Sequence, residues 1–117
     1  MIYVLTHDLK DRLELVSSVF AQAVTALSFG YEAEIFLMDS SVKTAGKGYV
    51  DGLKAESFAF LQELIDMFSE MEGKLYVGAP FAQFHHILKD NCIAAVTEFV
   101  DAGMLVVHAK DSVVFTY

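Results

Sequence analysis

Three short runs rich in β-branched and aromatic residues recur along the chain, and long amphipathic stretches separate them. The runs are Ile2-Tyr3-Val4-Leu5, Glu34-Ile35-Phe36-Leu37-Met38 and Lys74-Leu75-Tyr76-Val77-Gly78. This alternation constrains the fold more than any other feature. Strands that alternate with helices build βαβ units, which place parallel strands in one sheet with helices on both faces. The first run is apolar at every position, the pattern of a strand covered on both sides.

The intervening stretches fit a helical period. From Asp8 or Asp11, either of which can cap, the first helix is predicted to last to about Ser28. Leu15, Val16, Val19, Phe20, Ala23, Val24, Ala26 and Leu27 share one half of its wheel at ~100° per residue, and Gly30 stands where a left-handed cap belongs. A second helix is predicted from about Lys54 to Glu72, closed by Gly73. Its apolar arc holds Phe58, Phe60, Leu61, Leu64, Ile65, Met67, Phe68 and Met71. Packing on one sheet face needs an arc of only ~100°, so Phe60, Leu64, Met67 and Met71 are in excess and predict a contact between subunits. Pro80 suits the first position of a third helix, running to about Leu88. Between the second strand and second helix, Asp39 to Gly52 reads as a connection with a helical turn near Val42–Lys47.

The last part of the chain allows two readings. Ala94–Val100 is a fourth strand in both. Asp101 can cap a helix through Lys110 that leads to a fifth strand over Ser112–Tyr117. Alternatively Met104–His108 and Val113–Tyr117 form a hairpin, which Val106-Val107 favours because β-branched residues lose rotamer freedom in helices.

Composition bounds the rest. The chain has 117 residues, 55% hydrophobic and 21% charged, which predicts one domain spanning 1–117 and excludes a disordered chain. The formal charge of −8 provides no electrostatic footprint for nucleic acid and repels anionic lipid. No apolar run reaches the ~18–20 residues of a membrane span, and the N-terminus lacks the basic start of a signal peptide. The expectation is a soluble, acidic, cytoplasmic protein. The single cysteine, Cys92, excludes an intramolecular disulfide and any multi-cysteine metal site.

In parallel α/β sheets ligands bind outside the carboxyl ends of the strands. That rule points to Thr6-His7-Asp8, to Asp39–Lys47 and to Gly78-Ala79-Pro80-Phe81. The candidate ligand-binding residues are therefore His7, Asp8, Lys43, Lys47, Gly78, Ala79, Phe81 and His85. Lys43 and Lys47 flank glycines and suit an anion, although no GxxxxGK[ST] loop is present; solvated lysines are the plainer reading. His85 and His86 are adjacent, so on a helix they diverge by ~100° and do not chelate one ion. No metal and no cofactor is expected. Asp8, Asp11 and Glu14 open the first helix, where its dipole accounts for them.

The order of these segments resembles the DsrE/DsrF-like family of sulfur-relay proteins. Val4-Leu5-Thr6 with its Ala-rich helix resembles the first unit. Ala33-Glu34-Ile35-Phe36-Leu37, with Ser41-Val42-Lys43 and Gly46-Lys47-Gly48, resembles the second strand and its loop. Leu75-Tyr76-Val77-Gly78 through Ile87 resembles the segment bearing the active cysteine, and Val113–Tyr117 the closing strand. The resemblance implies a three-layer α/β/α sandwich on a five-stranded, mainly parallel sheet, with a helix over 101–110. It also implies a homo-oligomer, a trimer or hexamer ahead of a dimer, with a cysteine-bearing homologue as a further partner. The family's persulfide cysteine aligns with Gly78, the second cysteine of some members with Phe81, and an arginine-glycine pair with His85-His86. Glycine carries no sulfur. The expectation is a non-catalytic subunit, a regulator, or a protein binding a small molecule in the vacated pocket. The alternative is a sulfurtransferase-type enzyme using Cys92 or a histidine site. Cys92 follows no strand's carboxyl end, and it is expected to be a buried small hydrophobe.

Overall fold

Five parallel strands, β1 Ile2–Leu5, β2 Glu34–Leu37, β3 Lys74–Gly78, β4 Glu98–Val100 and β5 Val114–Thr116, lie in the order β4-β3-β2-β1-β5. The computed structural model describes all residues from Met1 to Tyr117. The helices between the strands are α1 Leu13–Ser28, α2 Leu61–Glu70, α3 Ala79–Phe84 and α4 Ala102–Ala109. This is the α/β sandwich that the alternation of runs predicts.

The two sheet faces are unequal. On the first, Tyr3, Leu5, Ile35, Leu37, Leu75 and Val77 meet α1 and α2 in a core of 21 buried residues. There the Phe20 and Phe68 rings pack edge to face, 5.8 Å between centroids. Burying one such side chain contributes ~1.5–3 kcal/mol, so this face holds most of the folding energy. On the second face only Ile2, Val4, Phe36, Tyr76 and Val100 are buried, beneath Met104, Leu105 and Ala109 of α4. His108 of α4 reaches Glu34 of β2 at 2.9 Å.

Several predicted boundaries move. The first helix begins at Leu13 with no side-chain cap, because Asp8 instead closes a turn, accepting from Lys10 N at 3.1 Å. The second begins at Leu61. Ser57 adopts φ 68°, and residues 54 and 60 bridge, so the chain turns where helix was expected. At its far end the left-handed residue is Glu72, at φ 67°. Gly73 is required for a different reason: a Cβ there would run into the Phe68 ring. The third helix ends at Phe84, and His86 at φ 60° redirects the chain. The fourth strand is confined to Glu98–Val100. The hairpin reading fails, since β5 pairs parallel to β1 and not with the segment before it. The decisive local signal is Asp101, whose carboxylate accepts from Met104 N at 3.1 Å.

Of the four residues in excess on the second helix, Leu64 is buried in the core while Phe60, Met67 and Met71 stay exposed. No helix is long and apolar enough to cross a membrane.

Candidate functional site

Leu5, Leu37 and Val77 sit in register across β1, β2 and β3, so the residues that follow leave the sheet along one edge. After β2 the chain turns sharply at Asp39, φ 51°, into a short 3-10 helix, Asp39–Ala45. The Ser41 hydroxyl reaches the Leu5 carbonyl at 2.7 Å and the Met38 carbonyl at 2.6 Å. This ties the connection to the end of β1.

Asp8 is the centre of the polar site. Its carboxylate accepts from the Tyr49 hydroxyl at 2.7 and 2.9 Å, from Lys43 Nζ at 3.3 Å and from Lys10 N. Lys10 Nζ lies 4.2 Å above the Tyr49 ring. Burial works to raise the Asp8 pKa, but the hydrogen bonds from Tyr49, Lys10 and Lys43 outweigh it and hold the carboxyl below its ordinary value. Burial and the bond to Asp8 push Tyr49 up to about 12. A phenol that holds its proton so firmly is a hydrogen-bond donor, not a base. The arrangement clamps the 39–53 connection onto β1 and neutralises Asp8.

The structure brings Asp8 and Lys43 together, and it brings Gly78 against Phe81. The other candidates are dispersed. The His7 ring is exposed, 3.4 Å from the Thr6 hydroxyl. Lys47 Nζ donates to the Asp90 carbonyl at 3.2 Å. His85 ends α3 beneath the Phe84 ring, 5.0 Å between centroids. Ala79 borders a cavity of about 270 Å³ beside Ile87, Leu88 and Phe99. No group of three or more His, Cys, Asp or Glu side chains is placed to hold a metal ion.

Gly78 closes β3, opens α3 and is buried. Its backbone, φ −63° and ψ 113°, suits any residue. Its neighbours do not: a Cβ would lie 2.6 Å from Met38 Sδ and 3.0 Å from the Phe81 ring. The space a side chain would take at this position is filled by Met38.

Two features were missed in the sequence. Tyr49 is 41 residues from Asp8 and carries no local signal. Cys92, expected to be buried and remote from this edge, is half-buried and bridges to Gly46 in the loop after β2. The bonds Lys47 N to Asn91 O at 2.9 Å and Ile93 N to Ala45 O at 2.8 Å fold the segment after α3 back over that loop. Sγ lies 3.5 Å from the Lys89 carbonyl, bordering a cavity of about 340 Å³ with Val96, Thr97 and Glu98.

No protein-family model matches the sequence, and no curated protein matches it. Solved structures do share the fold. The ychN protein of E. coli superposes with a TM-score of 0.63 at 18% identity, over 99% of this chain and 97% of that one. MTH1491 of Methanobacterium thermoautotrophicum, described as of unknown function, superposes with a TM-score of 0.67 at 12% identity, over 99% and 96%. At such identities the likeness is one of fold. It extends over the whole chain and its five-stranded α/β architecture.

Proposed function

We propose that this chain is a DsrE/DsrF-like protein without the sulfur-carrying cysteine, acting as a non-catalytic subunit or regulator in sulfur metabolism. The observation that carries this reading is the packing at Gly78. Met38 and Phe81 close over the position where the resemblance puts the thiol. Met38 takes up the room a cysteine side chain would need, so a thiol at this position requires the Met38 side chain to move. The same packing weakens the idea of a small molecule in a vacated pocket. The protein works as a closed homo-oligomer, a trimer or hexamer, or beside a cysteine-bearing homologue that supplies the thiol. Met67 on α2, with Phe60 and Met71 at its two ends, is exposed and forms the first surface for such contacts.

A second reading has one observation in its favour. Cys92 lies beside Gly46 at the carboxyl-end loop, partly accessible, where a sulfurtransferase would use it. Treatment with a persulfide donor, then alkylation and mass spectrometry, separates the two readings. The expected result is no sulfane sulfur held on Cys92; stable retention there favours the enzyme. Light scattering at micromolar concentration tests the assembly, and a monomer mass counts against it.

A further inference from the structure

The sheet has two edges, and they are built differently. β4 begins with an exposed glutamate, Glu98, and is followed at once by Asp101, so acidic residues flank that edge strand. Natural sheets blunt their edges in this way, with charge, proline or a bulge, because an open strand recruits another chain. At the opposite edge β5 carries none of these. Ser112-Val113-Val114-Phe115-Thr116-Tyr117 has no charged side chain and no proline, and all three residues of the strand are exposed.

The hydrogen bonding of β5 leaves half of its main chain free. β1 takes the inward side, through Ile2 N to Val113 O at 2.9 Å, Tyr117 N to Val4 O at 2.7 Å and Thr6 N to Tyr117 O at 2.9 Å. Residues 113, 115 and 117 therefore face β1. The N–H and C=O groups of Val114 and Thr116 point away from the sheet, since β1 is the only partner of β5. Beside this edge runs a groove of about 420 Å³ between α1 and the sheet. Tyr3 and Phe115, stacked at 5.3 Å, line it together with Phe29 and Tyr31. Phe29 is 73% and Tyr31 58% exposed.

We propose that β5 pairs antiparallel with β5 of a second copy about a two-fold axis at Phe115, joining the two sheets into one. The register follows from the free groups. Val114 exchanges N–H and C=O bonds with the second copy's Thr116, and Thr116 with its Val114. Phe115 then faces its own equivalent at a non-hydrogen-bonded position, where side chains approach most closely. The occupant is a second copy because the strip complements itself in this register. It also carries no charged side chain in a molecule of charge −8, so pairing brings no like-charged side chains opposite one another. A stable interface needs ~800 Å² from each partner. The paired strands supply part of it and the groove aromatics Phe29, Tyr31 and Phe115 the rest. The proposal shares with the assembly reading above only the need for a second copy. It uses a surface distinct from the α2 stripe, and trimers built on that stripe would pair through β5 into hexamers.

The test is Val114→Pro, which deletes an outward donor while leaving the bonds to β1 intact. Sedimentation and light scattering should give half the wild-type mass with an unchanged circular dichroism spectrum. A variant of wild-type mass, or a monomeric wild type, overturns the proposal. Hydrogen exchange on the wild type reads the same contact without a variant: the Val114 and Thr116 amides are protected, and exchange at open-edge rates overturns it. Met67→Lys, aimed at α2, should leave that protection in place, so the two contacts fail separately. Sulfur retention on Cys92 bears on function and leaves this result untouched.

Discussion

Asp8 shows how one carboxylate can fix a long loop. It draws on Tyr49 and Lys43 from the connection after β2 and on its own turn, and no other side chain holds that connection to β1 by charge. The signs of the two titrations bracket the clamp. Asp8 titrates below its unfolded value, so its contribution is complete above about pH 4 and is lost as pH falls through the folded value. Tyr49 titrates above its unfolded value near 10, so its contribution is complete below that and is lost as pH rises through about 12. Tyr49→Phe should therefore cost about 1 kcal/mol at pH 7, given a partly solvated partner. The deficit relative to wild type should shrink both in acid and above pH 10, as read by urea unfolding across pH. Gly78 gives the second residue-scale prediction. Its backbone is ordinary, so Met38, with the Phe81 ring behind it, decides the cost of a side chain. Gly78→Cys should lose about 1–3 kcal/mol from overpacking, and Met38→Ala in the same chain should recover part of it, a coupling a double-mutant cycle measures. If Gly78→Cys were as stable as wild type, the space would not be filled and the reading of this site would have to change.

At the scale of elements, what was legible in the sequence depended on where the signal lay. β1, β2 and β3 are apolar runs bounded by polar or glycine residues, and each formed within a residue or so of its predicted span. Periodicity also located α1 and α2, but it could not see that residues 54–60 turn, because Phe58 and Phe60 continue the apolar pattern through a segment closed by Ser57. The convergence of the three strand-end loops followed from parallel pairing. The partner of Asp8 could not follow, because a hydrogen bond over 41 residues has no local trace. Cys92 was misplaced for a similar reason: His86 and Asn91 shape a loop whose return path is set by main-chain bonds to Ala45 and Lys47. In α4 two local signals disagree, Val106-Val107 against the cap at Asp101, and the cap prevails. Asp101→Ala should accordingly cost about 1 kcal/mol, and Asp101→Asn much less, measured by thermal unfolding. Equal losses from both would mean the carboxylate matters for its charge and not as a cap.

The whole molecule divides into a thick side and a thin one. α1 and α2 seal the first face with 21 buried residues, while α4, none of whose residues is buried, covers five on the second. Folding free energy is then unevenly spread through the structure. Native proteins open in cooperative units whose opening free energies range from near zero to the global value. Here α4 should form the unit that opens first, detaching with the His108–Glu34 contact while β1, β2 and β3 stay paired beneath α1 and α2. Amides of α4 should exchange through a partial opening of lower denaturant dependence than those of α1 and the central strands. Equal exchange free energies across both sets would mean that the molecule opens only as a whole. The chain passes through α4 on its way to β5, so release of this helix would also loosen the closing strand of the sheet.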